Sequence, residues 1–333
     1  MIHALTALVL ALPLTASAVH QDSSFRRRHA SVAHTPAYMR RAANYTIKDH
    51  FVGEDFLSWT FYDSSDPTGG LVTYLDAQSA IDNGLATVDC DNVTTLAVDA
   101  NQTVATGGNR NSVRISSPET YSSGLFIADF AMMPTGCGTW PAYWTVGTTA
   151  DWPDAGEIDI IEGVNLNTEN QITLHSGADC TLNSTANTTG HILGTECTSS
   201  ADADSGCAYQ QDDTTSFGAG FNAAGGGVYA HLWNSDGITV WFFSRDSIPS
   251  DITSQNPDPT TWGTAAAIFP STGCDISSHF YDHAIVLDTT ICGDWAGPAY
   301  SASGCPGTCE DAVANSTNFV DAQWKINYIS VYQ

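Results

Sequence analysis

Three carboxylates stand within six residues in Gly156-Glu157-Ile158-Asp159-Ile160-Ile161-Glu162-Gly163. The β-branched isoleucines between them favour a strand, and alternation puts Glu157 and Asp159 on one face. Glu162 is five residues from Glu157, so a regular strand would turn it to the opposite face. One extra residue, a β-bulge at about Ile160-Ile161, brings it back beside the other two. The nearest basic residues in sequence are Arg114 and Arg245, so nothing local neutralises the cluster. Like charges held side by side raise one another's pKa. Such a group suits chemistry in which one carboxyl is an acid and another a base or nucleophile. Glycoside hydrolysis is of that kind: retention needs two carboxyls about 5–5.5 Å apart, and inversion about 6.5–9.5 Å. With the bulge, Glu157 and Glu162 are offset by about four pleat positions, ~13 Å of backbone. Two long side chains leaning together close much of that gap. Asp159, between them, can hydrogen-bond a neighbour and hold one carboxyl protonated.

The elements around this strand are short and alternating, among them Leu125–Met132, Ala142–Val146, Gln171–His175, Ala284–Asp288 and Ile326–Tyr332. Turn formers such as Asp66-Pro67-Thr68-Gly69-Gly70 separate them. Long 3.6-residue periodicity is absent, and Glu310–Val313 makes at most one helical turn. Val228–Trp233 and Ile238–Phe243 read as a hairpin across Asn234-Ser235-Asp236-Gly237. Both of its strands are apolar on two faces, which places them inside a sandwich or along an aromatic groove. No blade repeat supports a propeller. The pattern predicts an all-β fold, a jelly-roll sandwich of two antiparallel sheets with a concave cleft.

The N-terminus reads as an export leader. Ala4–Leu14 is an apolar run too short to span a bilayer, and Ala16-Ser17-Ala18 has the small-x-small form of a cleavage site. Residues 1–18 are assigned as a signal peptide and 19–41 as a pro-segment ending at the dibasic Arg40-Arg41. A single catalytic domain is expected over 42–333, with no linker or low-complexity tract dividing it. Five of the ten Lys and Arg lie in the leader, against only Asp22 of the 36 acidic residues, so the mature part carries a formal −30. That surface repels nucleic acid and anionic membranes, suits a neutral partner, and loses part of its self-repulsion in an acidic medium. Nine cysteines in an exported chain indicate disulfides, the simplest sum being eight paired and one free. Cys180 with Cys197 would close a short loop. Sequons at Asn44, Asn92, Asn101, Asn183, Asn187 and Asn315 are glycosylation candidates and agree with secretion, extracellular or into a cell wall.

The 156–163 stretch resembles the E-x-D-x-x-E signature of family 16 glycoside hydrolases, in the bulged form of laminarinase-like β-glucanases. Gly138-Thr-Trp-Pro-Ala-Tyr-Trp-Thr-Val146, Thr173-Leu-His175, Phe221–Ala230, Trp241-Phe-Phe-Ser-Arg245 and Cys292-Gly-Asp-Trp-Ala-Gly297 extend the likeness to fungal secreted members. Thr148–Ala155 departs from it, being slightly longer than the corresponding loop. The resemblance implies a jelly-roll and a retaining double displacement. In it Glu157 is the nucleophile, Glu162 the acid and then the base, and Asp159 an assistant by orientation and pKa tuning. It also implies cleft positions for Trp144, Trp152 and His175, and more loosely for Arg114 and Trp295. Trp140 is placed nearer to the core. No cofactor is expected; a structural calcium ion is compatible with the family, but no ligand cluster in the sequence marks a site, and no metal is assigned.

The leading reading is an endo-acting β-glucanase that cuts β-1,3 bonds in mixed or branched glucans, acting as a monomer. A transglycosylase with the same machinery would pass the glycosyl group to another sugar. A lectin-like jelly-roll would bind glucan without cutting it, and would have no need of three uncompensated carboxyls. No G-x-S-x-G elbow, H-E-x-x-H or P-loop supports another hydrolase class.

Overall fold

The computed structural model describes residues 45–201 and 203–333. The leader assigned to 1–18, the pro-segment 19–41 and Asn44 lie outside the described residues. Two eight-stranded sheets, antiparallel throughout, make up the body of the fold. The first runs Ala267–Pro270, Gly237–Ser244, Gly227–Asn234, Gly124–Met132, Gln323–Tyr332, Thr94–Ala97, Ala86–Val88, with Ile47–Phe51 also pairing to Gln323–Tyr332. The second runs Gly190–Gly194, Cys207–Gln211, Gln171–His175, Glu157–Glu162, Thr139–Gly147, His283–Ile291, Arg114–Tyr121, Thr60–Phe61. Neighbours in these orders are mostly distant in sequence, as in the jelly-roll the alternation predicts.

The main core lies between the sheets. Ile158, Ile160, Ile161, Tyr143, Ile172 and Leu287 of the second sheet meet Phe126, Phe130, Tyr229, Trp233 and Ile329 of the first. Trp324 ties the layers, its buried indole N–H donating to Asp288 O at 2.9 Å. The hairpin forms as expected, with Asn234 opposite Gly237 and Asp236 N–H donating to Asn234 Oδ1 at 2.8 Å. Its second apolar face has a physical cause. Val228, Ala230, Leu232, Trp241 and Phe243, with Ile268 of the edge strand, pack against Ile252, Trp262 and Ala265 from the segment that joins this hairpin to the edge strand.

Short helices that periodicity could not reveal sit at loops and edges: Ala77–Asp82, Gly218–Ala223, Gly293–Ala299 and Cys309–Ala314 among them. The last contains the single turn expected at 310–313, begun by Thr308, whose Oγ1 accepts from Asp311 N–H. Four disulfides join Cys137–Cys305, Cys180–Cys274, Cys197–Cys207 and Cys292–Cys309, and Cys90 is free and exposed. Eight paired and one free is thus the observed sum. The Cys180–Cys197 loop is corrected. The two residues are neighbours, since Cys197 N–H donates to Cys180 O, but their side chains leave in different directions to partners 94 and 10 residues away.

Candidate active site

The carboxylate strand Glu157–Glu162 lies near the middle of the second sheet, between Thr139–Gly147 and Gln171–His175. Against Thr139–Gly147, Glu157 pairs with Val146, Asp159 with Trp144 and Glu162 with Ala142, and the register shifts between Asp159 and Ile161. The bulge is where the alternation required it. Ile160 and Ile161 both enter the core, while Glu157, Asp159 and Glu162 follow one another on the opposite, cleft face.

A bulge leaves ladder groups without partners, and here one side chain takes them. Asn170 is fully buried. Its Oδ1 accepts from Glu162 N–H at 3.0 Å, and its Nδ2 donates to Ile160 O at 2.8 Å. Asn170 N–H in turn donates to Ser216 Oγ at 2.9 Å. The glycines that bracket the strand are needed for space. A Cβ at Gly156, whose φ is +81°, would collide with His279 O and the Phe280 ring. One at Gly163 would meet the Phe217 ring at 2.8 Å.

Each glutamate receives one indole N–H. Trp152 Nε1 donates to Glu157 Oε2 at 2.9 Å, and Trp140 Nε1 donates to Glu162 Oε1 at 2.8 Å. Trp152 stands on the loop after Thr139–Gly147 and is 42% exposed, so its ring is open to a ligand. Trp140 is a correction to the core placement: it is only partly buried and touches a carboxylate. The signal was available, because residues 140, 142 and 144 share a face by alternation. Trp295, on the helix Gly293–Ala299, packs edge-on against Trp140 with centroids 5.6 Å apart. Disulfides Cys137–Cys305 and Cys292–Cys309 anchor the chain on either side of this pair.

Asp159 is 2% exposed and faces His175, with Oδ2 3.3 Å from Nε2. His175 Nδ1 contacts Ser199 Oγ at 2.9 Å. Two strands, Thr139–Gly147 and His283–Ile291, separate Arg114 from the carboxylate strand. Its guanidinium lies 4.9 Å from the Trp144 ring and 4.8 Å from the Tyr62 ring, and Nη1 is 3.6 Å from Asp288 Oδ2. Trp144 therefore has Arg114 against it. Asp288, which no sequence signal singled out, faces the same cleft, opposite Arg114 and Ala142 in the ladders.

Burial, then Asp159, pushes the Glu157 carboxyl up to about 8, against the opposing pull of His175, the Trp152 N–H and Arg114. Burial also holds Glu162 well above the ordinary glutamate range, with Asp159 and Glu157 adding to it and the Trp140 N–H and His175 opposing. Asp159 is raised chiefly by burial. Burial pushes Asp288 up to about 7 despite Arg114. Each of these shifts runs towards the neutral form, as burial beside other carboxyls favours. The described sequon asparagines Asn92, Asn101, Asn183, Asn187 and Asn315 are all exposed. Among the described residues no helix is long and apolar enough to cross a membrane.

Residues 59–332 match the model of the XgeA-like, catalytic GH16 domain. A probable glycosidase of Schizosaccharomyces pombe is 43% identical over 311 residues, 90% of this chain and 73% of that protein. The endo-1,3(4)-β-glucanase xgeA of Emericella nidulans is 39% identical over 328 residues, 94% of this chain. The chain spans 52% of that protein's length, about half, as with the other curated endo-1,3(4)-β-glucanases it matches. Laminarinase 16A of Phanerochaete chrysosporium, solved with 6-O-glucosyl-laminaritriose in donor and acceptor sites, superposes with a TM-score of 0.83 at 42% identity. That match covers 87% of this chain and 100% of the other.

Proposed function

The chain belongs to glycoside hydrolase family 16, and from that premise we propose that it is an endo-acting, retaining β-glucanase. Its substrates are β-1,3-glucans, including mixed β-1,3/1,4 and β-1,6-branched chains. The observation that carries this reading is the row of Glu157, Asp159 and Glu162 on one cleft face, with a separate indole N–H on each glutamate.

Glu157 is the nucleophile. The Trp152 N–H occupies Oε2, which leaves Oε1 to attack the anomeric carbon. Glu162 is the acid: the Trp140 N–H occupies Oε1, so Oε2 holds the proton passed to the leaving glycosidic oxygen. The first step forms the C1–Oε1 bond and breaks the glycosidic bond. In the second step Glu162 takes a proton from water, which attacks C1, releases Glu157 and regenerates the β anomer. The division of roles follows the surroundings. His175, the Trp152 N–H and Arg114 favour the charged form of Glu157, which a nucleophile needs, and burial beside Asp159 and Glu157 favours the protonated form of Glu162, which an acid needs. Asp159 lies between them and couples to both. Trp152, Trp144 and Trp295 offer ring faces to glucose units, and Arg114 and His175 offer polar contacts. Hydrolysis rather than glycosyl transfer is the expected outcome, and the enzyme is read as a secreted monomer whose mature chain begins at Ala42.

NMR of the first product released from laminarin tests the mechanism, and the β anomer is expected. An initial α anomer would mean inversion and overturn the double displacement. N-terminal sequencing of secreted protein tests the processing, which fails if Arg26 or Arg27 remains in the mature chain.

A further inference from the structure

Glu157, Asp159 and His175 each offer one ligand-type atom to the same small space, and the three atoms lie within 4.8 Å of one another. His175 Nδ1 meets Ser199 Oγ at 2.9 Å, and its other ring nitrogen, Nε2, faces Asp159 Oδ2. That oxygen is buried and receives no hydrogen bond. Glu157 lies beside the pair.

The spacing has a chemical meaning. Two ligands about 2.0–2.2 Å from one tetrahedral ion are ~3.4 Å apart, and Asp159 Oδ2 and His175 Nε2 are 3.3 Å apart. A modest turn of Glu157 completes a face of three ligands, with the fourth position open to water in the cleft. The outer partners that hold such ligands are present as well: Ser199 on His175 Nδ1 and Trp152 on Glu157 Oε2. One nitrogen and two oxygens suit zinc or copper. Calcium needs six to eight oxygens and magnesium an octahedron.

We propose that Glu157, Asp159 and His175 form an inhibitory site for a divalent cation of the zinc and copper type, which binds in competition with glucan. The bound ion takes one oxygen of the nucleophile and sits where the sugar must lie. The inhibition rests on the glucanase reading, but the binding does not.

The test uses the mature protein carrying Cys90→Ser, because the exposed Cys90 thiol would itself take up these metals. Zn²⁺ is titrated by calorimetry, and Cu²⁺ is followed by electron paramagnetic resonance. One equivalent of each should bind, with the copper signal showing a single nitrogen ligand. His175→Gln should weaken Zn²⁺ at least 10-fold. His191→Ala, which removes an exposed ring paired with Asp212, should leave binding and activity unchanged. Laminarin should displace Zn²⁺, and Ca²⁺ or Mg²⁺ should not. Equal affinity in His175→Gln and the parent overturns the site, and so does a loss in His191→Ala or a copper signal with several nitrogens. Laminarin hydrolysis without Zn²⁺ binding at His175 removes the site alone. Zn²⁺ binding at His175 without hydrolysis supports the site and removes the glucanase reading instead.

Discussion

Replacing Glu157 by Gln should abolish turnover and make the protein more stable at alkaline pH. The carboxyl is pushed from 4.5 up to about 8 in the folded chain. A raised acid pKa means that the native state binds more protons than the unfolded state between those values. Stability contributed by the neutral carboxyl is therefore complete below about pH 4.5 and is lost as pH rises through about 8. At ~1.4 kcal/mol per pKa unit the full loss has a ceiling of about 5 kcal/mol. Glu157 is partly exposed to the cleft, and water there screens its charge, so about 2–3 kcal/mol is the working figure. Gln keeps the shape and still accepts the Trp152 N–H, but never has to ionise. Urea unfolding of both proteins from pH 4 to pH 9 reads the difference at constant m. The curves should meet near pH 4 and separate above it, with the variant more stable by about 2–3 kcal/mol at pH 8–9. A gap that does not change with pH, or a variant that is less stable at pH 8, would refute the reasoning.

Asn170→Ala leaves Glu162 N–H and Ile160 O without partners in the core, which costs about 2–4 kcal/mol. It should lower kcat on laminarin more than 10-fold with little change in KM, and denaturant unfolding with steady-state kinetics checks both. Trp140→Phe removes the N–H that favours ionised Glu162. The alkaline limb of the kcat profile should move up by about 0.7 pH unit, the equivalent of one hydrogen bond of ~1 kcal/mol. His231 is fully buried against Phe126, and both its ring nitrogens are without partners. Burial, with His283 adding, pushes it down to about 3, so the native state resists protonation and stability is lost as pH falls from about 6.5 towards 3. His231→Phe should retain about 3 kcal/mol at pH 4 that the parent loses, measured by urea unfolding.

Taken together, the carboxyl cluster penalises alkaline conditions and the buried histidines penalise strong acid. Maximum stability therefore falls at mildly acidic pH, between the two losses. The acidic composition alone pointed in this direction, but composition gives no lower bound; that bound comes from His231 and His283, whose burial is a tertiary fact.

Local alternation made the site's main axis legible. Glu157, Asp159 and Glu162 interact through a single strand, so their spacing and the need for a bulge were written in six adjacent residues. What the sequence hid depends on contacts across the sheet. Arg114 and Asp288 are 174 residues apart, yet the ladder sets them opposite one another. Asn170 carries no signal in the sequence, and its amide bridges Ile160 and Glu162 only in the folded chain. Cys180 and Cys197 met as backbones but not as sulfurs, because pairing depends on which way each side chain leaves the chain. Trp140 is a different case: alternation with Ala142 and Trp144 puts it on the carboxylate face, where its one polar atom reaches Glu162.

The bulge also bears on how such a strand can change by descent. Glu157, Asp159 and Glu162 stand opposite Val146, Trp144 and Ala142, every second residue of the neighbouring strand. Loss of the single codon for Ile160 would leave Glu-Ile-Asp-Ile-Glu, whose plain alternation keeps all three carboxylates in those same places. The extra isoleucine fills the core beneath the acids, and Asn170 secures it. A lineage could gain or lose that residue in one step without the carboxylates leaving their row, and would answer for the change in packing beneath them.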